Sequence, residues 1–309
     1  MFRTITPMSE PMKVGIQLPE VEREVAWPEM REIAVTAEQA GFDSIWVGDH
    51  LLFREPALGV RGPMEAWSLL AALGEATEKA LIGPLVAATS FHNPGMIAKK
   101  AATVDDISGG RLILGLGAGW NRPEYQAFGF PYDHRVSRFE EAFTVVRTLI
   151  REGAIDFEGR FYTHREMELL PRARAEMPLL IGSNGPRMLR VAAPHVDLWN
   201  SWFTHYDNRP EGLTPLIEEL ERAAVEVGRD PTEIERTVAV LVQLDRGTGR
   251  VASSERPDVE AIKGSPQEIA ESLARFGDAG ISHIQVVLDP IDARAVTELA
   301  EVLRLLRAD

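Results

Sequence analysis

Short apolar runs alternate with longer amphipathic segments along the whole chain. The runs are "KVGIQL" (13–18), "SIWVG" (44–48), "ALIGPLVAA" (80–88), "RLILGLG" (111–117), "PLLIG" (178–182), "VDLWN" (196–200), "RTVAVLVQL" (236–244) and "HIQVVLD" (283–289). Each is mostly continuous rather than alternating, the pattern of strands covered on both faces. Between them, helical spacing of apolar residues predicts helices at 27–41, 64–77, 94–107, 136–151, 186–193, 211–227, 266–279 and 291–307. In the first, a proline stands near the start, Ile33, Ala34, Ala37 and Ala40 share a face, and Gly41 provides a stop. In "GSPQEIAESL" (264–273), Ser265, Pro266 and Glu268 read as a capping box.

Eight strands alternating with about eight helices is the count of a closed (β/α)8 TIM barrel. An open doubly wound sheet is the rival architecture; the strand count disfavours it, and no Gly-x-Gly-x-x-Gly turn follows the first strand. Residues 51–63, 118–135 and 245–264 are too long for plain connections and follow the second, fourth and seventh strands. They read as insertions in the βα loops, at the end of a barrel where sites are built. Residues 153–165 read as a hairpin turning at Glu158-Gly159. Residues 1–12 form a lead-in, and 13–309 are expected to be one domain.

The composition, 45% hydrophobic and 26% charged over 309 residues, supports a core that needs no staples. With 47 acidic and 33 basic residues the net charge is −14, which disfavours nucleic acid and anionic membrane as partners. The absence of cysteine excludes disulfides, thiolate nucleophiles, iron–sulfur clusters and Cys-ligated zinc, and fits a cytoplasmic location. The first residues, with Pro7 and Pro11, lack the apolar core of a signal peptide, and no stretch of about 18 apolar residues offers a membrane span.

Within this frame a few residues stand at strand ends with chemistry to offer. Asp49 and His50 close the second strand; they are either a satisfied polar patch or a site that binds a ring edge or moves a proton. In "GGRLILGLGAGWN" (109–121), Gly115, Gly117 and Gly119 either admit a flat ligand to the backbone or serve tight packing at a barrel corner. "IGSNGPRM" (181–188) offers Ser183, Asn184, Gly185 and Arg187 to a phosphate at a helix start, or is an ordinary turn. His92 reads as a solvent-facing loop residue, Asp133 as a helix cap, and Arg138 as an ion-pair partner rather than an anion site. His195 and His283 read as structural, and Trp46 as core. No metal is expected: the seven histidines are scattered, with no His-x-His on the first strand and no His-Glu-x-x-His; a Gly-x-Ser-x-Gly elbow is also absent.

Taken together, "GFDSIWVGDHLL", the segment from "NPGMIAKK" to "RFEEAF", "IDFEGRFY", "PLLIGSNGPRMLRVAA" followed by "DLWN", and "GSPQEIAESLARFGDAGISHIQVVLDP" resemble the luciferase-like monooxygenase superfamily. The likeness is nearest to its deazaflavin (coenzyme F420)-dependent oxidoreductase branch and runs from about residue 13 to the C-terminus. It implies a (β/α)8 barrel with F420, or alternatively FMN, at the C-terminal end of the strands. His50 then matches the family's acid/base and Asp49 its neighbour at the ring, orienting or charging the histidine. Leu85 and Val86 match a bulge with a non-proline cis peptide behind the ring, and Ala88 a position that is a hydroxyl residue in some members. Gly117, Ala118, Gly119 and Trp120 match the loop at the ring edge, and Gly182, Ser183, Asn184, Gly185 and Arg187 a phosphate clamp. Trp120, Phe53 and Trp202 would line the substrate side.

Two residues depart from the family pattern. His92 stands where members often have arginine, and Trp120 where the glucose-6-phosphate-oxidising members have glutamate, which argues against that activity. The reading is hydride transfer between C5 of F420 and a small organic substrate, with His50 handling the proton. The rivals are an FMN-dependent monooxygenase and a non-catalytic flavin-binding barrel. A homodimer is implied by the resemblance.

Overall fold

The computed structural model describes residues 11–55, 59–248 and 259–308. Residues 1–10 of the expected lead-in and 249–258 of the 245–264 loop fall outside these. The chain runs β1 (Lys13–Gln17), α1 (Trp27–Gln39), β2 (Ser44–Val47), β3 (Phe53–Glu55), β4 (Gly59–Arg61), α2 (Ala66–Ala76), β5 (Leu81–Pro84), β6 (Ala87–Ala88), α3 (Pro94–Ile107) and β7 (Leu114–Gly117). It continues through α4 (Arg122–Phe128), α5 (Arg135–Arg151), β8 (Ala154–Glu158), β9 (Thr163–Glu168), β10 (Leu179–Gly182), α6 (Pro186–Ala192), β11 (Leu198–Ser201), α7 (Thr214–Glu226), β12 (Glu235–Gln243), α8 (Pro266–Asp278), β13 (His283–Asp289) and α9 (Ala293–Leu306).

Nine strands form one sheet in the order β5-β2-β1-β13-β12-β11-β10-β7-β6, with parallel pairing throughout. β5 and β6 are two pieces of one barrel strand, interrupted at Leu85-Val86, whose peptide is cis. The first piece pairs with β2 and the second with β7, so the sheet returns to the strand it started from. A further parallel bridge, Ile82 to Leu112, ties β5 to the chain entering β7. The barrel is therefore built from the eight apolar runs of the sequence. β2, β7, β11 and β13 are buried at every residue, because helices cover one face and the barrel interior fills the other.

At α2, α3, α8 and α9 a side chain at the helix start satisfies free backbone donors. The Asn93 side chain accepts from the amides of Gly95 and Met96 to open α3, and the Ser265–Glu268 capping box forms at α8. Asp133 does not cap α5: His134 occupies the cap position at φ 54°, and the Asp133 carboxylate pairs with Arg138 instead. Inside the insertions lie two elements whose patterns are too short to read. The hairpin β3–β4 has three residues per strand. α4 is seven residues long, bounded by Pro123 and by Gly129 at φ 75°. Two turns do not establish a helical period. The hairpin β8–β9 forms as expected, extending to Glu168, and the Glu141 carboxylate caps its turn by accepting the amides of Arg160, Phe161 and Tyr162. No helix among the described residues is long and apolar enough to cross a membrane.

Candidate functional site at the barrel lip

β2 delivers Asp49 and His50 to the C-terminal lip, where the two side chains part company. The His50 Nδ1 lies 3.0 Å from Glu124 Oε2 and 3.2 Å from Oε1. Its Nε2 is 3.6 Å from Glu20 Oε1, an ion-pair distance. Glu124 is fully buried at the start of α4 and also accepts the amides of Leu51 (2.6 Å) and Leu52 (3.1 Å), so it clamps the loop that carries the histidine. Gly48 explains how Glu20 comes so close: a Cβ there would overlap the Glu20 carboxylate. Burial opposes a charge on His50, but Glu20, then Glu124 and Asp49, outweigh it and raise its pKa to about 9. The ring is therefore an imidazolium at neutral pH.

Asp49 does not orient His50; only its charge acts on that ring. Its Oδ2 accepts the Ala88 amide (2.9 Å) and lies 3.1 Å from His92 Nε2, while its Oδ1 is buried without a hydrogen-bond partner. His92 is thus not a solvent-facing loop residue. Its side chain is 13% exposed and sits between Asp49 and Lys100, whose Nζ is 3.3 Å from Nδ1.

Val86, half-buried in an otherwise buried stretch, lays its side chain across β7 and β10. A Cβ on Gly117 would stand 2.6 Å from Val86 Cγ2, and one on Gly182 would stand 2.8 Å from Cγ1. The space left by these glycines is taken by Val86, and that at Gly115 beside them first by the Pro84 carbonyl and then by Val86. Packing at a barrel corner accounts for them, and Val86 rather than bare backbone is the surface they present. The loop beyond is tied down through successive carbonyls. Gly117 O accepts Thr89 Oγ1, Ala118 O accepts Tyr125 Oη (2.8 Å), and Gly119 O accepts Arg135 (2.7 Å). Trp120 remains 49% exposed, its ring 5.7 Å from His50, with Phe53 4.6 Å from the same imidazole. Trp202 is half-buried and tilted against Phe203, in no ring contact with His50.

The segment after β10 is engaged with the protein itself. Arg187 makes a two-pronged pair with Glu140 (2.7 and 2.6 Å) and bonds Ser137, and α6 behind it is seven residues long. Ser183 O accepts the Trp199 indole, and Asn184 Nδ2 donates to Ser201 Oγ at 3.1 Å. Trp46 is fully buried, its Nε1 donating to Ser44 Oγ (2.7 Å), which lies 2.7 Å from His283 Nε2. Burial, with a smaller push from Lys13, drives the His283 pKa down to about 3.

Sequence reasoning missed Glu20, Glu124 and Lys100. Glu20 follows β1 at the lip, a position where a carboxylate is a signal in any barrel. Glu124 carries no such mark: in "RPEYQAF" it reads as a first-turn acid favoured by the helix dipole.

The luciferase-like monooxygenase family model matches residues 12–252. The F420-dependent glucose-6-phosphate dehydrogenase of Intrasporangium calvum is 30% identical over 227 residues, covering 72% of this chain and 67% of its own. The pyrimidine monooxygenase RutA of Rhizobium rhizogenes is 31% identical over 227 residues, covering 70% of this chain and 60% of its own. Among solved structures, an F420-dependent secondary alcohol dehydrogenase in complex with an F420-acetone adduct superposes with TM-score 0.82 at 22% identity, covering 96% of this chain and 100% of that one. That likeness bears on the fold, a barrel with the same course. With the family match spanning most of its length and with oxidoreductases and monooxygenases among its relatives, the chain is an enzyme and belongs to the luciferase-like monooxygenase family.

Proposed function

We propose that the protein is an F420-dependent oxidoreductase in which His50 handles the proton that accompanies hydride transfer to or from a small organic substrate. The observation that carries this reading is the His50 imidazolium, held by Glu20 and Glu124 at the lip of the barrel beside an exposed aromatic wall. With Nδ1 bonded to Glu124, Nε2, 3.6 Å from Glu20 Oε1, is the nitrogen that would give a proton to a substrate oxygen. Its raised pKa favours the donating direction, the reduction of a carbonyl-type group.

The lip fits a flat heterocycle. Val86 offers an apolar platform, and the buried Asp49 Oδ1 needs an N–H or O–H donor that the described residues do not provide. Asp49, Leu85, Val86, Ala88, the loop Gly117–Trp120 and the turn Gly182–Gly185 would hold the ring, with Arg187 anchored to Glu140 at its side. Bound F420 would supply hydride exchange at C5, chemistry that no side chain of a cysteine-free protein performs. Around His50 stand three carboxylates and the rings of Phe53 and Trp120, a setting for an uncharged substrate with an apolar face rather than a sugar phosphate.

A second reading, an FMN-dependent monooxygenase on the same lip, draws on the pyrimidine monooxygenase relative. Titrating the purified protein with F420 and with FMN, followed by quenching of the ring fluorescence, separates the two. Tight binding of F420 alone is expected; tight binding of FMN alone would overturn the F420 reading in favour of the second. Assembly as a homodimer belongs to the same proposal and is read by light scattering.

A further inference from the structure

Behind Asp49 lies a polar chain with no part in the proton chemistry of His50. Lys100 Nζ is 3.3 Å from His92 Nδ1, and His92 Nε2 is 3.1 Å from Asp49 Oδ2. A lysine ammonium only donates, so Nδ1 must accept, and the ring N–H then sits on Nε2, facing the carboxylate. The opposite tautomer would set an N–H against the ammonium and a lone pair against Asp49. The indole of Trp67, 3.3 Å from Nε2, supports that other arrangement, but it would satisfy one contact of the ring at the cost of two. With Oδ2 taken by His92 and the Ala88 amide, the carboxylate plane is fixed and Oδ1 is left buried and unpartnered, in a residue that is 3% exposed.

We propose that Lys100 and His92 form a positioning relay that fixes the Asp49 carboxylate, so that its free Oδ1 accepts an N–H or O–H donor on the edge of the bound ring. This rests on the reading of the lip as a cofactor site. Lys100 Nζ also lies 5.7 Å from the centre of the Trp67 ring, and its charge acts on the Glu65 carboxylate.

The test separates the relay from the identity of the ring. Long-range 1H–15N spectra of the full-length apo protein should show His92 protonated on Nε2 alone; protonation on Nδ1 overturns the relay without any variant. Lys100→Met keeps the stem and removes the donor. It leaves Asp49 and the Trp67 indole with opposite demands on Nε2, so it should mix the Nδ1 tautomer into that signature and weaken F420 binding about tenfold, as loss of one oriented bond to a charged group does. Lys100→Arg should restore both. A Lys100→Met protein that loses the signature yet binds F420 as tightly as the wild type removes the relay's role toward the ligand. A wild-type protein that binds neither F420 nor FMN sinks the cofactor reading, while the imidazole spectrum still decides the relay.

Discussion

One strand, β2, touches two histidines that end in opposite states. At its start, Ser44 bonds His283 inside the barrel, and burial drives that ring's pKa down to about 3. Past its end, His50 is also largely buried, yet its pKa rises to about 9. Burial disfavours an imidazolium at both places. The difference is that His283 has a hydroxyl and the charge of its cross-strand neighbour Lys13 for company, whereas His50 has Glu20, Glu124 and Asp49. The closed end of the barrel treats histidine as a packing group. The lip surrounds it with carboxylates and keeps it charged, the state in which it can act as an acid.

The largest effect should follow from deleting the charged ring. His50→Ala is expected to lower turnover with F420 by about 10²- to 10⁴-fold, the usual contribution of a positioned acid or base, with F420 affinity retained. Steady-state kinetics beside a binding titration check this, and unchanged turnover would remove the assigned role.

The two rings should also leave opposite marks on stability. The folded pKa of His50 lies above its ordinary 6.5, so its contribution is complete below about pH 6.5 and is lost as pH rises towards 9, on the order of 3 kcal/mol in all. His283 is depressed, so its contribution is present above about 6.5 and erodes as pH falls towards 3, about 2 kcal/mol by pH 5. Urea unfolding across pH, repeated on His50→Ala and His283→Gln, should flatten the alkaline limb in the first variant and the acid limb in the second.

A smaller change should blur the contrast from one side. Gly48→Ala sets a methyl group against the Glu20 carboxylate and should push it off His50. The expected fall in the His50 pKa is about one unit, or about 1.4 kcal/mol; an unchanged NMR titration would show that Glu20 is dispensable to the charge. The smallest effect belongs to a site far from either ring. Ser265→Ala removes the capping box of α8 and should cost about 1 kcal/mol in thermal unfolding while leaving both titrations where they are.

Most of the barrel is legible before any coordinates, since continuous apolar runs and helical spacing are local properties. The eight runs fall on β1, β2, β5–β6, β7, β10, β11, β12 and β13, and the helix at 94–107 has the bounds of α3. Legibility stops at α4 and at β3–β4, which lie in the insertions and are shorter than one period can establish. In the site, Asp49 and His50 are legible as polar residues closing an apolar strand. Their partners are not. Glu124 is 74 residues away from His50, and Asp49 is 43 residues away from His92.

The glycines teach the same lesson from the other direction. "GLGAG" announces that side chains are excluded, but not by what; only the packed barrel shows Val86 filling the space at Gly117 and Gly182, and Glu20 the space at Gly48. The sequence by itself determined the order and kind of the elements, and therefore which strand ends meet at one lip, because backbone periodicity and capping act over a few residues. Tertiary structure alone decided that His50 is charged, that His283 is not, and that Asp49 keeps one oxygen free. Charge and hydrogen bonding depend on which groups come within a few ångströms, and those groups arrive from distant parts of the chain.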